Sequence, residues 1–172
     1  MTRFYRMLSV VLLMCSAAQS QSDPSPMPAC LSPLFRQFDF WIGDWDVRNP
    51  AGELAGRNTI TAEQGGCVIV EKWQSVAGNG GMSMSYYEPQ SGRWKQNWLS
   101  PGGILEMSGG MRGDSLIMEG PMQYLGKEKT TLLRGTWTPL PDGRVRQHFV
   151  ESTDGGKTWT EWFDGYYRRI DN

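Results

Sequence analysis

Three groups of residues carry most of the chemistry open to this chain. Glu71 stands between Ile69 and Trp73 in CVIVEKW, Trp94, Gln96 and Trp98 alternate in RWKQNW, and Ser152 to Trp159 spells S-x-D-x-G-x-T-W. A carboxylate on an apolar strand face must find a partner or meet water in a cavity. Arg134, two residues from Thr136 and beside Trp137, is the candidate cation for it. Glu71, Trp73, Tyr86, Gln96, Trp98, Arg134 and His148 together would make an aromatic but wet interior, the usual lining of a small-molecule pocket. The competing reading is a filled interior in which a buried Glu71–Arg134 pair is structural. Glu71 and Glu106 are also the first candidates for a carboxylate acid or base at a barrel mouth.

Other chemistries find little support. His148 is the only histidine, and no G-x-S-x-G elbow presents a serine to it. One histidine with Cys30 and Cys67, themselves expected to pair, does not build a usual tetrahedral zinc site, so no metal is expected. His148 alternates with Gln147 and Phe149 and shares its face with Arg144 and Arg146, which reads as solvated. Neither phosphate-cradling nor EF-hand spacing occurs.

These residues must be carried by elements, and the first twenty residues are not among them. Arg3 and Arg6 precede the apolar run Met7 to Ala18, and small residues follow at Ala17, Ala18 and Ser20. That is the form of a secretory signal peptide over 1–20. The run is too short to span a bilayer as a helix. A lipoprotein signal using Cys15 is the alternative, weakened by the bulky Met14 before it. Without the leader, 15 basic residues face 18 acidic ones, which excludes a nucleic-acid binder on bulk charge. Cys30 and Cys67 remain, an even pair that an oxidising compartment would join; free buried thiols are the alternative.

Residues 21–33 carry four prolines and read as an extended segment. Over 34–172, short aromatic and β-branched runs recur between turn residues: FDFWIGDWDVR, GRNTITAE, CVIVEKWQS, GMSMSYYEP, RWKQNWLS, GILEMSG, SLIMEG, TTLLRGTWTP, RVRQHFVES and TWTEWFDGYYRRI. Ten short strands joined by hairpins fit one all-β domain, a single antiparallel up-and-down barrel, with a two-sheet β-sandwich as alternative. The opening strand is expected to run from Phe38, apolar on both faces, after a short turn of helix around Ser32 to Gln37.

Gly43-Asp44-Trp45 near the start of the first strand resembles the G-x-W of lipocalins and the wider calycin barrels. In those families an arginine of the last strand covers the tryptophan, a role this resemblance offers to Arg168 or Arg169. FDFWIGDW, GCVIVEKW, SGRWKQNW, PDGRVRQHF, STDGGKTW and FDGYYRR, taken in order, are similar to a bacterial family of uncharacterised secreted proteins with lipocalin-like barrels. The resemblance implies the fold, secretion into the periplasm or beyond, and a disulfide. It implies no reaction. A more distant similarity to the nitrobindins implies haem held by His148. The expected partner is otherwise a small apolar or amphiphilic molecule, with no cofactor, no nucleic acid and no membrane span; a structural or partner-binding role is the remaining alternative.

The S-x-D-x-G-x-T-W stretch is the Asp box of sialidase propellers, but a propeller needs far more chain. Here it reads as a hairpin device: Asp154 accepts backbone N–H groups, Gly155 and Gly156 allow positive φ, and Trp159 packs under the turn.

Overall fold

The computed structural model describes residues 29–170. The expected leader, Cys15 and most of the proline-rich segment lie outside these described residues. Ten strands follow one another: β1 (Gly43–Arg48), β2 (Leu54–Glu63), β3 (Val68–Ser75), β4 (Gly80–Glu88), β5 (Arg93–Ser100), β6 (Gly103–Arg112), β7 (Ser115–Tyr124), β8 (Lys129–Pro139), β9 (Val145–Ser152) and β10 (Thr160–Arg169). Each pairs antiparallel with the next, and β1 pairs with β10, so the sheet closes into an up-and-down barrel rather than a sandwich. Closure leaves no unpaired strand edge. Alternation decides which side chains enter. On β9, Val145, Gln147 and Phe149 are buried while Arg146, His148 and Val150 lie on the outer face.

The first strand is shorter than its apolar pattern suggests. Asp39–Trp41 forms a 3-10 turn and β1 begins only at Gly43. Residues three apart eclipse on such a turn, so Phe38 and Trp41 enter the barrel together, where alternation would have sent one outward. Both are fully buried. Phe38 stacks on Trp41 at 4.8 Å and meets Trp94 and Trp137 edge-on, at 5.6 and 5.5 Å. They plug one end of the barrel. The described end of the segment expected to be extended, 29–33, also differs, because turns of 3-10 helix at Ala29–Leu31 and Pro33–Arg36 lead into the plug.

Two ties hold the plug. Cys30 and Cys67 form a disulfide across 37 residues, joining the approach to the plug with the β2–β3 connection. Closing such a loop contributes about 3–4 kcal/mol in the chain-entropy account. Arg36 Nη2 also donates to the Gly66 carbonyl in that connection.

Barrel closure is sealed beside the plug. The Trp45 indole N–H donates to the Trp41 carbonyl at 2.9 Å, and the Arg169 guanidinium lies 4.4 Å over the Trp45 ring. Arg168 is exposed, opposite Asp46 in the β1–β10 register. Gly43 makes this contact possible: its φ is +148°, and a Cβ there would overlap Arg169 Nη1. The G-x-W spacing thus places a residue without a side chain where the arginine crosses to the indole.

Gly43→Ala should therefore destabilise the barrel by about 1–3 kcal/mol, read as a lower denaturant midpoint. Arg169→Ala alone should cost about 0.5–2 kcal/mol, the range of a cation–π contact. The double variant should be less destabilised than the sum, because removing the guanidinium relieves the clash and leaves only the backbone strain.

Candidate ligand-binding site

The plug occupies one half of the barrel, and a layer of polar side chains crosses the interior beyond it. Glu71 on β3, 5% exposed, accepts hydrogen bonds from Asn58 Nδ2 on β2 and Ser83 Oγ on β4, both at 2.7 Å. Asn58 Nδ2 donates as well to the Tyr167 hydroxyl on β10 at 3.0 Å, and that hydroxyl donates to Gln147 Oε1 on β9. Gln96 on β5 donates to Ser85 Oγ at 2.8 Å. These groups alternate with apolar residues on inward faces, which is why one height of the barrel collects them.

Toward the opposite end, Trp73, Trp98, Leu105, Phe149, Trp162 and Phe163 surround a cavity of about 100 Å³. Its floor is Glu71, Gln96, Gln147 and Tyr167. It opens beneath a broader depression of about 450 Å³ that reaches Ala55, Ser75, Asn79 and Ser100 at the barrel rim. The cavity alone is smaller than the roughly 300–1,000 Å³ of drug-sized sites; the depression falls inside that range.

The wall is set by local backbone features. The β9–β10 register shifts between Glu161 and Phe163, a bulge that turns the successive aromatics Trp162 and Phe163 both toward the mouth. Trp162 is further fixed by its indole N–H, which donates to the Tyr124 hydroxyl at 3.1 Å; Tyr124 donates in turn to Glu151 at 2.7 Å. The other rings lie against glycines. A Cβ on Gly81 would come within 2.7 Å of the Trp98 ring, and one on Gly135 within 2.7 Å of Phe149. Larger residues at these points would push the rings into the cavity.

Burial pushes the Glu71 carboxyl above its usual range, while the Ser83 and Asn58 hydrogen bonds pull against the shift. Burial, and then the charge of Glu71, push the Tyr167 phenol well above its ordinary value. Among the described residues that line the cavity there is no arginine, lysine or histidine.

Of the residues singled out by sequence, Glu71, Trp73, Gln96 and Trp98 come together here. Tyr86, Arg134 and His148 do not, since each falls on the outward phase of its strand. Arg134 makes no pair with Glu71: it holds Glu119 through Nε and Nη2 at 2.8 and 2.7 Å and stacks 4.1 Å over Trp159. His148 faces Glu161 at 3.3 Å on the outer wall. Haem does not fit this arrangement, because the cavity is far smaller than a porphyrin and the histidine points away from it. Glu106 is exposed on the outer face of β6. Sequence reasoning did not single out Asn58, Phe149, Trp162, Phe163 and Tyr167. Phe149 and Asn58 were accessible by alternation, whereas the Trp162–Phe163 pair depends on a bulge without a sequence signature.

The Asp-box stretch joins β9 to β10 and lines no cavity among those described. Asp154 accepts from the Thr158 hydroxyl at 2.6 Å, the Thr158 and Lys157 amides at 2.9 and 3.0 Å, and the Ser152 hydroxyl at 2.8 Å. Gly155 and Gly156 take φ of +74° and +90°, and the Trp159 indole donates to the Gly156 carbonyl at 3.0 Å. The Thr158 hydroxyl foremost, then the Thr158 amide and Ser152, hold the Asp154 carboxyl down to about 2.

No family model matches the chain, and no curated protein matches it. The likeness to lipocalin-like proteins accordingly stands on the closed ten-strand antiparallel barrel, with which it is compatible. Among the described residues no helix is long and apolar enough to cross a membrane.

Two outcomes are expected. The Glu71 carboxyl has a raised folded pKa, so its favourable contribution is present below its unfolded pKa and is lost as pH rises through the folded one. Glu71→Gln can still accept from Asn58 and can donate to the Ser83 hydroxyl in place of accepting from it, so it should stabilise the protein at pH 8 relative to wild type, with the gain vanishing near pH 4 in urea titrations. Asp154 behaves oppositely. Its depressed pKa gives stability above the unfolded value that is lost as pH falls toward about 2. Asp154→Ala should therefore lower Tm at pH 7, and its deficit against wild type should shrink between pH 4 and pH 2.

Proposed function

We propose that this protein is an extracytoplasmic, lipocalin-like binding protein that takes a small, partly apolar molecule into the open half of its barrel without transforming it. The observation that carries the reading is the asymmetry of the interior. One end is plugged by Phe38 and Trp41, while the other keeps a pre-shaped aromatic cavity over a polar floor. A barrel built only for stability has no reason to brace Trp162 through Tyr124 or to seat Trp98 and Phe149 on glycines around a void.

A signal peptide over 1–20 and a proline-rich segment ahead of the barrel complete the proposed organisation. The Cys30–Cys67 disulfide supports a location outside the cytoplasm, where such bonds persist. The bacterial secreted family that the sequence motifs resemble is the proposed kinship. A second reading, acid–base catalysis at the cavity floor, rests on the raised pKa of Glu71 beside Tyr167.

Native mass spectrometry of the protein taken from the periplasm tests the binding reading. The expected result is an added mass of a small organic molecule that is lost in Leu105→Trp, which extends an indole into the cavity from β6. Overpacking of this kind costs about 1–3 kcal/mol, so the variant should remain folded by circular dichroism. An unliganded wild type that also takes up no small apolar probe would sink the reading.

A further inference from the structure

We infer that the ligand of this cavity is a small protonated amine, with Glu71 as its counter-ion and Trp73, Trp98 and Phe163 as the surfaces over which its charge lies; the inference rests on the binding reading above. Glu71 lacks a charged partner among the described residues. Its two oxygens accept one hydrogen bond each, from Asn58 and Ser83, both uncharged. An ionised carboxylate offers about four acceptor positions, so two are left over. The ion pairs of the described residues lie elsewhere, and the cavity lining holds no cation. A buried carboxylate without an opposite charge is costly, and this one has two neutral donors alone.

The surrounding chemistry narrows the partner. Aromatic faces attract cations, tryptophan most strongly, and more so when water is excluded. Trp73 and Phe163 meet at 6.2 Å with their planes at 77°, and Trp98 is held against Gly81 across the cavity lining. An ammonium group with N–H donors can satisfy the free acceptor positions of Glu71 while its apolar part stays among the rings. A carboxylate or phosphate ligand would meet Glu71 with like charge. A quaternary ammonium would fit the rings but leave the acceptors unused. The cavity of about 100 Å³ holds the charged end, and the depression above it takes a short alkyl chain or a single ring.

Proton traffic follows from the same geometry. The groups facing Glu71 are Asn58 from β2, Ser83 from β4, Gln96 from β5, Gln147 from β9 and Tyr167 from β10. Only Tyr167 among them titrates, and it is pushed well above its usual range. The titrating partner is therefore Glu71, whose carboxyl burial raises, and it gives up its proton to the buffer as the ammonium arrives. Affinity should rise with pH until the carboxyl is ionised in the free protein.

The test uses the full disulfide-bonded protein and four probes: n-butylammonium and benzylammonium against the near-isosteric 1-butanol and benzyl alcohol. Calorimetry across pH 5–8, in buffers of different ionisation enthalpy, gives affinity and proton release together. Each ammonium should bind at least about tenfold more tightly than its alcohol at pH 8 and should release protons at lower pH. Glu71→Gln should abolish the preference, and Trp98→Leu should weaken the ammonium more than the alcohol. The proton-release series needs no variant, so it decides the matter even if a variant does not fold. Alcohols that bind as tightly as the amines, or an amine preference that survives in Glu71→Gln, overturn this inference and leave the binding reading standing. If none of the four binds, this inference falls, and the binding reading falls with it where the periplasmic protein also carries no ligand.

Discussion

Everything else in this barrel depends on how its interior is divided once β1 and β10 have closed. A ten-strand closed sheet encloses more space than ten inward-facing rows of ordinary side chains fill evenly. The chain meets that constraint by sending a segment that is not a strand into one end. Phe38 and Trp41 stack there, Trp94 and Trp137 pack edge-on against them, and Trp45 binds the Trp41 carbonyl. Closure and plug are one structure, because the arginine that covers Trp45 comes from the last strand and passes over Gly43 at the first. The disulfide then ties the segment leading into the plug to the far side of β2.

Filling one end with aromatics displaces the polar groups to mid-height. Asn58, Glu71, Ser83, Tyr167 and Gln147 form a continuous chain of hydrogen bonds running from β4 round to β9. Such a chain rigidifies the middle of the barrel when every member is satisfied and is expensive when one is not. Its weakest member is Glu71, whose charge has no opposite charge in the cavity lining. Asn58 Oδ1, beside it, is a buried atom without a partner. Both sit at the level where the packed half gives way to the cavity, while the indole nitrogens of Trp41 and Trp137 go unpartnered within the plug itself.

The fold was legible in the sequence because each strand announces itself by alternation and each turn by glycine, asparagine, aspartate or proline. The Glu71–Trp73 and Gln96–Trp98 rows were legible for the same reason. Arg134 and His148 were harder. Their types suit a pocket, but inward and outward phases are exchanged by any shift of one residue, and only the paired barrel fixes the phase. Phe38 to Trp41 misled in a different way. Apolar residues on both faces read as a strand covered on both sides, whereas a 3-10 turn uses the same residues to bury both rings. Trp162 and Phe163, adjacent in the chain, could share the mouth only through a bulge, and that is a property of the β9–β10 register rather than of either residue.

The Asp box and the mouth show how one stretch of chain serves stability and site together. Asp154 and its turn glycines set the hairpin that starts β10, and the bulge that aims Trp162 and Phe163 follows within that strand's first four residues. On the outer wall Arg134 stacks on Trp159 and holds Glu119, clamping the end of the same hairpin to β7 and β8. A residue expected to charge the pocket thus acts on it from outside, by fixing the strand that carries two of its walls. The Glu71 carboxyl is left facing the cavity without a cation, because the arginine expected for it is engaged with Glu119 on the outer surface.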